Sequence, residues 1–222
     1  MIAAVAAAAT VRVIPLGRSV RGRPIEAVEI TGSSPRATVL VVGCIHGNET
    51  AGIAIARALE HATVPARVAL WIIPDLNPDG VAADTRQNAN GVDLNRNFPW
   101  RWNDQEGVFD SGTRRLSEPE TRIAYRLILR IRPAVSIWFH QHLDVVDDSS
   151  GSRPLERIFA AAAGLPLRPL LREGGSAVTW ESHRFPGTSP FVVELPAGAA
   201  TPGHLRRYVR AVLKVASLVA VR

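Results

Sequence analysis

The segment Thr38-Val39-Leu40-Val41-Val42-Gly43-Cys44-Ile45-His46-Gly47-Asn48-Glu49-Thr50-Ala51-Gly52-Ile53 decides the fold. Thr38 to Val42 is a β-branched, largely apolar run, the pattern of a buried strand, while Ile53 to Leu59 reads as helix. His46 and Glu49 fall on the loop between them. Loops at strand ends are where active sites collect. An imidazole nitrogen and a carboxylate oxygen are both good zinc ligands, and a catalytic zinc takes three protein ligands while keeping one position open. A His-x-x-Glu pair alone is weak evidence, because such pairs arise freely in loops. The rest of the chain has to supply the third ligand.

Working outward, Val11 to Ile14 and Ile25 to Ile30 read as the strands of a hairpin around the turn-rich, basic segment 17–24. A helix from about Glu49 to His61 offers Ile53, Ala56 and Leu59 to a sheet. Val68 to Ile73, bounded by Pro65 and Pro74, reads as a strand buried on both faces. Residues 74–103 are rich in Asn, Asp, Gly, Pro and Arg, a loop too long for a compact domain unless it is functional. Ser117-Glu118-Pro119-Glu120 reads as a helix start with Ser117 at the cap, and the helix runs to about Ile131. Ala134 to Phe139 is another buried strand, with His140 at its end. Leu155 to Ala163 is helical, Phe191 to Leu195 is a strand containing Glu194, and Pro202 to Val221 is a long terminal helix. Strands alternating with helices imply an α/β sheet with helical cover.

The 222 residues are enough for one sizeable core, so a single domain is expected. With 46% hydrophobic and 21% charged residues the chain is of ordinary globular composition rather than disordered. The formal charge of +6 rests on arginine, Lys214 being the sole lysine. Such a balance favours anionic partners. The arginines are scattered and no aromatic-basic signature accompanies them, which argues against nucleic acid. One cysteine excludes an internal disulfide, and Cys44, ending an apolar strand, reads as packing rather than as a ligand. Ile2 to Ala9 is an apolar, alanine-rich run with no Lys or Arg before it, too short for a membrane span. Residues 1–10 are therefore expected to be a signal-peptide remnant or a disordered start, and residues 11–222 the functional domain; cytoplasmic and exported locations both stay open. No other segment is long and apolar enough to cross a bilayer.

Three apolar strands thus end in polar chemistry, at His46, at His140 and at Glu194. In an open α/β sheet such ends converge on one crevice. His46 and Glu49 with one distant histidine complete a zinc site, and Glu194 remains for proton transfer. His140 and His142 lie two apart and would face the same way on an extended strand, so periodicity does not choose between them.

Gly43-x-x-His46-x-x-Glu49, Asn77-Pro78-Asp79-Gly80, the run from Arg86 through Asp93-Leu94-Asn95-Arg96-Asn97-Phe98-Pro99, Ser117-Glu118-Pro119-Glu120-Thr121, Phe139-His140 and Val193-Glu194-Leu195-Pro196 together resemble the zinc carboxypeptidases of the carboxypeptidase A type. Within that family the chain is most similar to the short murein peptide amidases, and the match runs from about Ile14 to the last helix. The resemblance implies a mixed, mostly parallel, twisted eight-stranded sheet with helices on both faces. It implies one Zn2+ held by His46, Glu49 and His140, Glu194 as general base, Arg86 as oxyanion donor, and Asn95 with Arg96 as the grip on a substrate carboxylate. His142 stands where the amidases usually carry proline, a departure that suits an auxiliary or substrate contact. No counterpart is evident for the tyrosine that the digestive enzymes fold over their substrate. Trp180, Ser182, His183 and Phe185 are candidates for a specificity pocket, with core packing as the competing reading. The implied substrate is a small, cell-wall-derived peptide cut beside its free terminal carboxylate. A general metallocarboxypeptidase, a related amidase of acylated amino acids, and a catalytically silent zinc-binding module are the alternatives.

Overall fold

Alternate residues of the central strand point to opposite faces, so Val39 and Val41 enter one apolar layer while Leu40 and Val42 enter another. A computed structural model of the chain describes residues 9–148, 153–171 and 173–220, and the architecture follows from this two-sided burial. The elements are β1 (Thr10–Arg18), β2 (Pro24–Thr31), β3 (Ala37–Val42), α1 (Ala51–Leu59), β4 (Val68–Ile73), α2 (Pro78–Ala83), α3 (Pro119–Ile131), β5 (Val135–Gln141), β6 (Val145–Asp147), α4 (Arg153–Ala163), β7 (Leu167–Arg168), α5 (Ala177–Arg184), β8 (Ser189–Leu195) and α6 (Pro202–Val219). The strands form one eight-stranded mixed sheet in the order β1-β2-β4-β3-β5-β8-β6-β7. Its centre, β4-β3-β5-β8, is parallel, and β1, β2 and β6 add antiparallel pairings.

Helices α1, α4 and α6 pack on the face of Val39, Val41 and Phe139; α3 and α5 cover the face of Leu40, Val42 and Trp138. With nine residues, α1 is too short to be stable alone. Burial of Ile55, Ala56 and Leu59 against the sheet holds it. The chain leaves β3 towards β4 on one side, and β5 then lies on β3's other side. That reversal opens a crevice at the strand ends.

Several expectations need correction. Helix α1 begins at Ala51 rather than Glu49, because residues 46–49 first close a turn, with the Glu49 N–H donating to His46 O. Glu118, not Ser117, is the residue before α3, and the Ser117 hydroxyl bonds the Glu118 carboxylate instead of a helix N–H. The segment 74–103 contains α2 and a 3-10 turn, Leu94–Arg96, each held by a side-chain cap from Asn77 or Asp93. Short β6 and β7 and helix α5 were not anticipated. Of the expected leader-like start, residues 1–8 lie outside the described residues, as does Val221.

On the α5 side, Ser136 and Trp138 of β5 share one buried acid. Glu181 Oε2 accepts from the Ser136 hydroxyl at 2.7 Å and Oε1 from Trp138 Nε1 at 2.9 Å. Burial pushes this carboxyl up to about 7, against the pull of those two hydrogen bonds. A folded-state pKa above the ordinary 4.5 means that the group's contribution is fully present below that value and is lost as pH rises through about 7. Glu181→Gln is therefore expected to remove a loss of about 2–3 kcal/mol between pH 5 and pH 8. Urea unfolding at the two pH values measures it, and an unchanged pH slope in the variant would exclude Glu181 as the source.

Candidate metal centre and substrate cavity

The loop that carries His46 is fixed by close backbone contact. A Cβ on Gly47 would stand 2.0 Å from the Gly80 carbonyl carbon, so only glycine lets this loop lie on α2. Asn77 fastens both sides, its Oδ1 accepting from Gly80 N at 3.0 Å and its Nδ2 donating to Ile45 O at 3.1 Å. Across the crevice, the parallel register sets His140 of β5 directly beside Glu194 of β8. Both residues alternate onto the α5 face with Trp138 and Val192.

His46, Glu49 and His140 are buried, and their donor atoms all lie within 4.8 Å of one another. His46 Nδ1 is 2.9 Å from Glu49 Oε1 and 3.1 Å from His140 Nδ1, which in turn is 2.9 Å from Glu49 Oε2. His46 Nε2 lies 3.0 Å from Asp93 Oδ1, so the carboxylate accepts a hydrogen bond from the Nε2–H and the Nδ1 lone pair is left facing Glu49 and His140. Two imidazole nitrogens and a carboxylate aimed at one point are a donor set that fits zinc, with Asp93 fixing a ligand tautomer from behind. Of the two histidines that periodicity left open, His140 joins this cluster. His142 is exposed and lines the neighbouring cavity.

Charges around the cluster reinforce one another. Burial works to raise Glu49, but His46 and His140 outweigh it and hold the carboxyl far below its usual range. Burial likewise opposes ionisation of Asp93, and His46, Arg86 and Arg96 overcome it. His46 is pulled down by burial, yet Asp93 and Glu49 together raise it above its ordinary value. Arg86 joins both acids, donating from Nε to Asp93 Oδ2 at 2.9 Å and from Nη1 to Glu49 Oε1 at 3.2 Å.

A cavity of about 260 Å³ opens beside the cluster, and Arg86, Asn95, Arg96, His142 and Glu194 all line it. Asp93 Oδ1 caps the 3-10 turn through Asn95 N at 2.9 Å, which presents Asn95 and Arg96. Asn95 Oδ1 accepts from Ala177 N at 2.9 Å, so its amide donors are left for the cavity. Arg96 is buried, donates to its neighbour's carbonyl, and has an Nε with no partner among the described residues. Burial is the main influence drawing its pKa down, opposed by Asp93. A guanidinium held this way is matched by an incoming carboxylate.

The remaining candidates fare differently. Trp180 is core, packed with ring centroids 5.5 Å from Phe98 and 4.8 Å from Tyr125, and His183 stacks on Trp100. Ser182 bonds back to Val178 O, and Phe185 packs edge-on to Trp180. None of the four lines the cavity, whose α5 wall is Val178 and Thr179 instead. Cys44 is buried packing, as expected, with burial raising its thiol pKa. Two working residues were missed. Asp93 stands inside the quoted run, but no local signal says that it will bond His46 across 47 positions. Gln141 accepts from Ala51 N and donates to Pro196 O and Gly198 O, tying β5, α1 and the loop after β8 together.

The sequence profile of the family described as zinc carboxypeptidase matches residues 2–146. Murein peptide amidase A of Escherichia coli (strain K12) is 33% identical over 165 residues, which cover 68% of this chain and 67% of that protein. The human carboxypeptidase N catalytic chain is 36% identical over 118 residues, 40% of this chain and 26% of that one. Among solved structures, murein-tripeptide amidase MpaA from Escherichia coli O157 superposes with a TM-score of 0.78 at 26% identity, covering 97% of this chain and 96% of its own. The family match includes the segments bearing His46, Asp93 and His140, whereas Glu194 lies beyond it.

The geometry around Asp93 makes a direct prediction. Asp93→Asn keeps the shape but weakens the acceptor behind His46, and zinc affinity is expected to fall about tenfold to a hundredfold. Competition with a chromophoric chelator reads this, and an unaltered affinity would mean that His46 needs no orienting carboxylate.

Proposed function

This chain belongs to the zinc carboxypeptidase family, and from that premise we propose that it hydrolyses the amide bond next to the free terminal carboxylate of a murein-type peptide, γ-D-glutamyl-diaminopimelate being the preferred linkage. The carrying observation is the convergence of His46, Glu49, His140, Arg86, Asn95, Arg96 and Glu194 on one small cavity. In this reading His46, Glu49 and His140 hold the zinc, which supplies Lewis acidity to the scissile carbonyl and a water of lowered pKa. Glu194, beside His140 on the next strand, takes the proton from the attacking water and delivers it to the departing amine. Arg86 donates to the oxygen on which negative charge develops. Asn95 and Arg96 receive the terminal carboxylate, which supplies the buried guanidinium with a charge-matched partner. The similarity to murein peptide amidase A, and to a solved amidase of nearly the same extent, supports a cell-wall peptide over an ordinary protein C-terminus. The residues before Thr10, the first of β1, are read as lying outside the catalytic domain, whose start was expected at residue 11.

Glu194→Gln is expected to keep zinc and fold while losing nearly all turnover, because an amide cannot accept the water's proton. Near-normal turnover in that variant would remove Glu194 from the proton path. The substrate reading is tested with a panel of murein tripeptide, its terminal amide, and ordinary peptides ending in Phe or Lys. The free tripeptide should be cleaved at least about a hundredfold faster than its amide, and Arg96→Ala should erase most of that preference. Equal rates on acid and amide would sink the carboxylate grip, and faster cleavage of the ordinary peptides would make the protein a general carboxypeptidase.

A further inference from the structure

Phe109 closes a short 3-10 turn, Gly107–Phe109, and is 44% exposed, so burial of apolar surface does not account for its position. Its ring centre is 5.3 Å from the guanidinium carbon of Arg86 and 5.3 Å from that of Arg96. Both distances are within the reach at which an aromatic face attracts a cation. One ring therefore serves two like charges that would otherwise push each other apart. The turn is also tied to both arginine-bearing segments. Gln87, next to Arg86, donates its Nε2 to Gly107 O at 2.7 Å, and Asp93 N, three residues before Arg96, donates to Asp110 O at 2.7 Å. The ring is thus fixed relative to the two guanidinium groups by bonds on either side of it.

We propose that Phe109 is a positioning residue that holds Arg86 and Arg96 together in their working directions, so that the oxyanion donor and the carboxylate grip are set as a unit. The ring offers its negative face to both cations and covers one side of each from water. Asp93 supplies the opposite charge, bonding Arg86 directly and attracting Arg96. The functional consequence rests on the roles proposed above for the two arginines; the contact itself does not.

The test compares Phe109→Leu, which keeps an apolar side chain but removes the ring, with Phe109→Trp, which keeps a ring of stronger cation affinity. Phe109→Leu should lower kcat and raise KM on the murein tripeptide, together costing roughly fivefold to thirtyfold in kcat/KM. Its preference for the free acid over the amide should shrink as well, with the unfolding midpoint unchanged. Phe109→Trp should restore kcat, KM and the preference. Wild-type kinetics in the leucine variant, or a tryptophan variant as impaired as the leucine one, would overturn the proposal. A wild type that cleaves nothing in the panel would instead refute the proposed function, and the arginine Nε–H resonances then decide. Loss of the ring in Phe109→Leu should move the signals of both Arg86 and Arg96, and if they stay in place the ring does not hold them.

Discussion

One buried carboxylate, Asp93, organises the site. Its Oδ1 faces His46 Nε2 and accepts from Asn95 N, its Oδ2 accepts from Arg86 Nε, and its own N–H bonds the turn that carries Phe109. An anion with no exposed surface is costly unless it is paired and hydrogen-bonded. Here the partners are the groups to which the proposed reaction gives work. The ring tautomer of His46, the direction of Arg86 and the turn that presents Asn95 and Arg96 all depend on the same two oxygens. Loss of the charge would leave Glu49 as the one remaining anionic partner that Arg86 and His46 share, so effects of substitutions in this group should not add independently.

The sheet explains why these residues can meet at all. Reversal of the strand order about β3 puts the ends of β3 and β5 on either side of one crevice, and the β5–β8 register brings Glu194 next to His140 on the neighbouring strand. Glu181 lies beneath, bonding Ser136 and Trp138 on the same face of β5. A fully buried acid there welds α5 to the strand that bears His140. The cavity wall of Val178 and Thr179 is therefore anchored to the same strand as His140.

Much of this was legible in the sequence, for reasons that differ by residue. Unbroken apolar runs mark β3, β4, β5 and β8 because these strands are covered on both faces, and polar residues at their ends stand out against that background. The resemblance then chose His140 over His142, a choice that alternation could not make, and the geometry brings the same residue into the cluster. Asp93 and Phe109 were not legible, since their roles come from contacts across the fold. Ser117 misled because the rule for helix caps is local, while its hydroxyl is taken by Glu118 and Asn97. Of the two readings open for Trp180 and His183, packing is the one the structure shows: Trp180 of α5 is buried against Phe98 and Tyr125, and the exposed His183 stacks on Trp100, both away from the cavity. Short β6 and β7 carry too few residues to show a period.

In the proposed reaction, chemistry and selectivity would fall to different parts of the framework, and the division has a physical basis. His46, Glu49, His140 and Glu194 sit at or near the ends of the central parallel strands, where neighbouring strands and Gln141 fix the backbone on both sides. Another part of the cavity wall is drawn from Leu143, Leu170 and Leu171, which lie outside the strands. His142 and Leu143 mark the border, where β5 ends and the chain turns towards β6. None of the three leucines bonds Asp93, so substitution there would alter the cavity without disturbing the groups that this carboxylate holds. In the proposed reaction, choice of peptide can therefore drift while the hydrolytic step is held in place by a carboxylate that the substrate never meets.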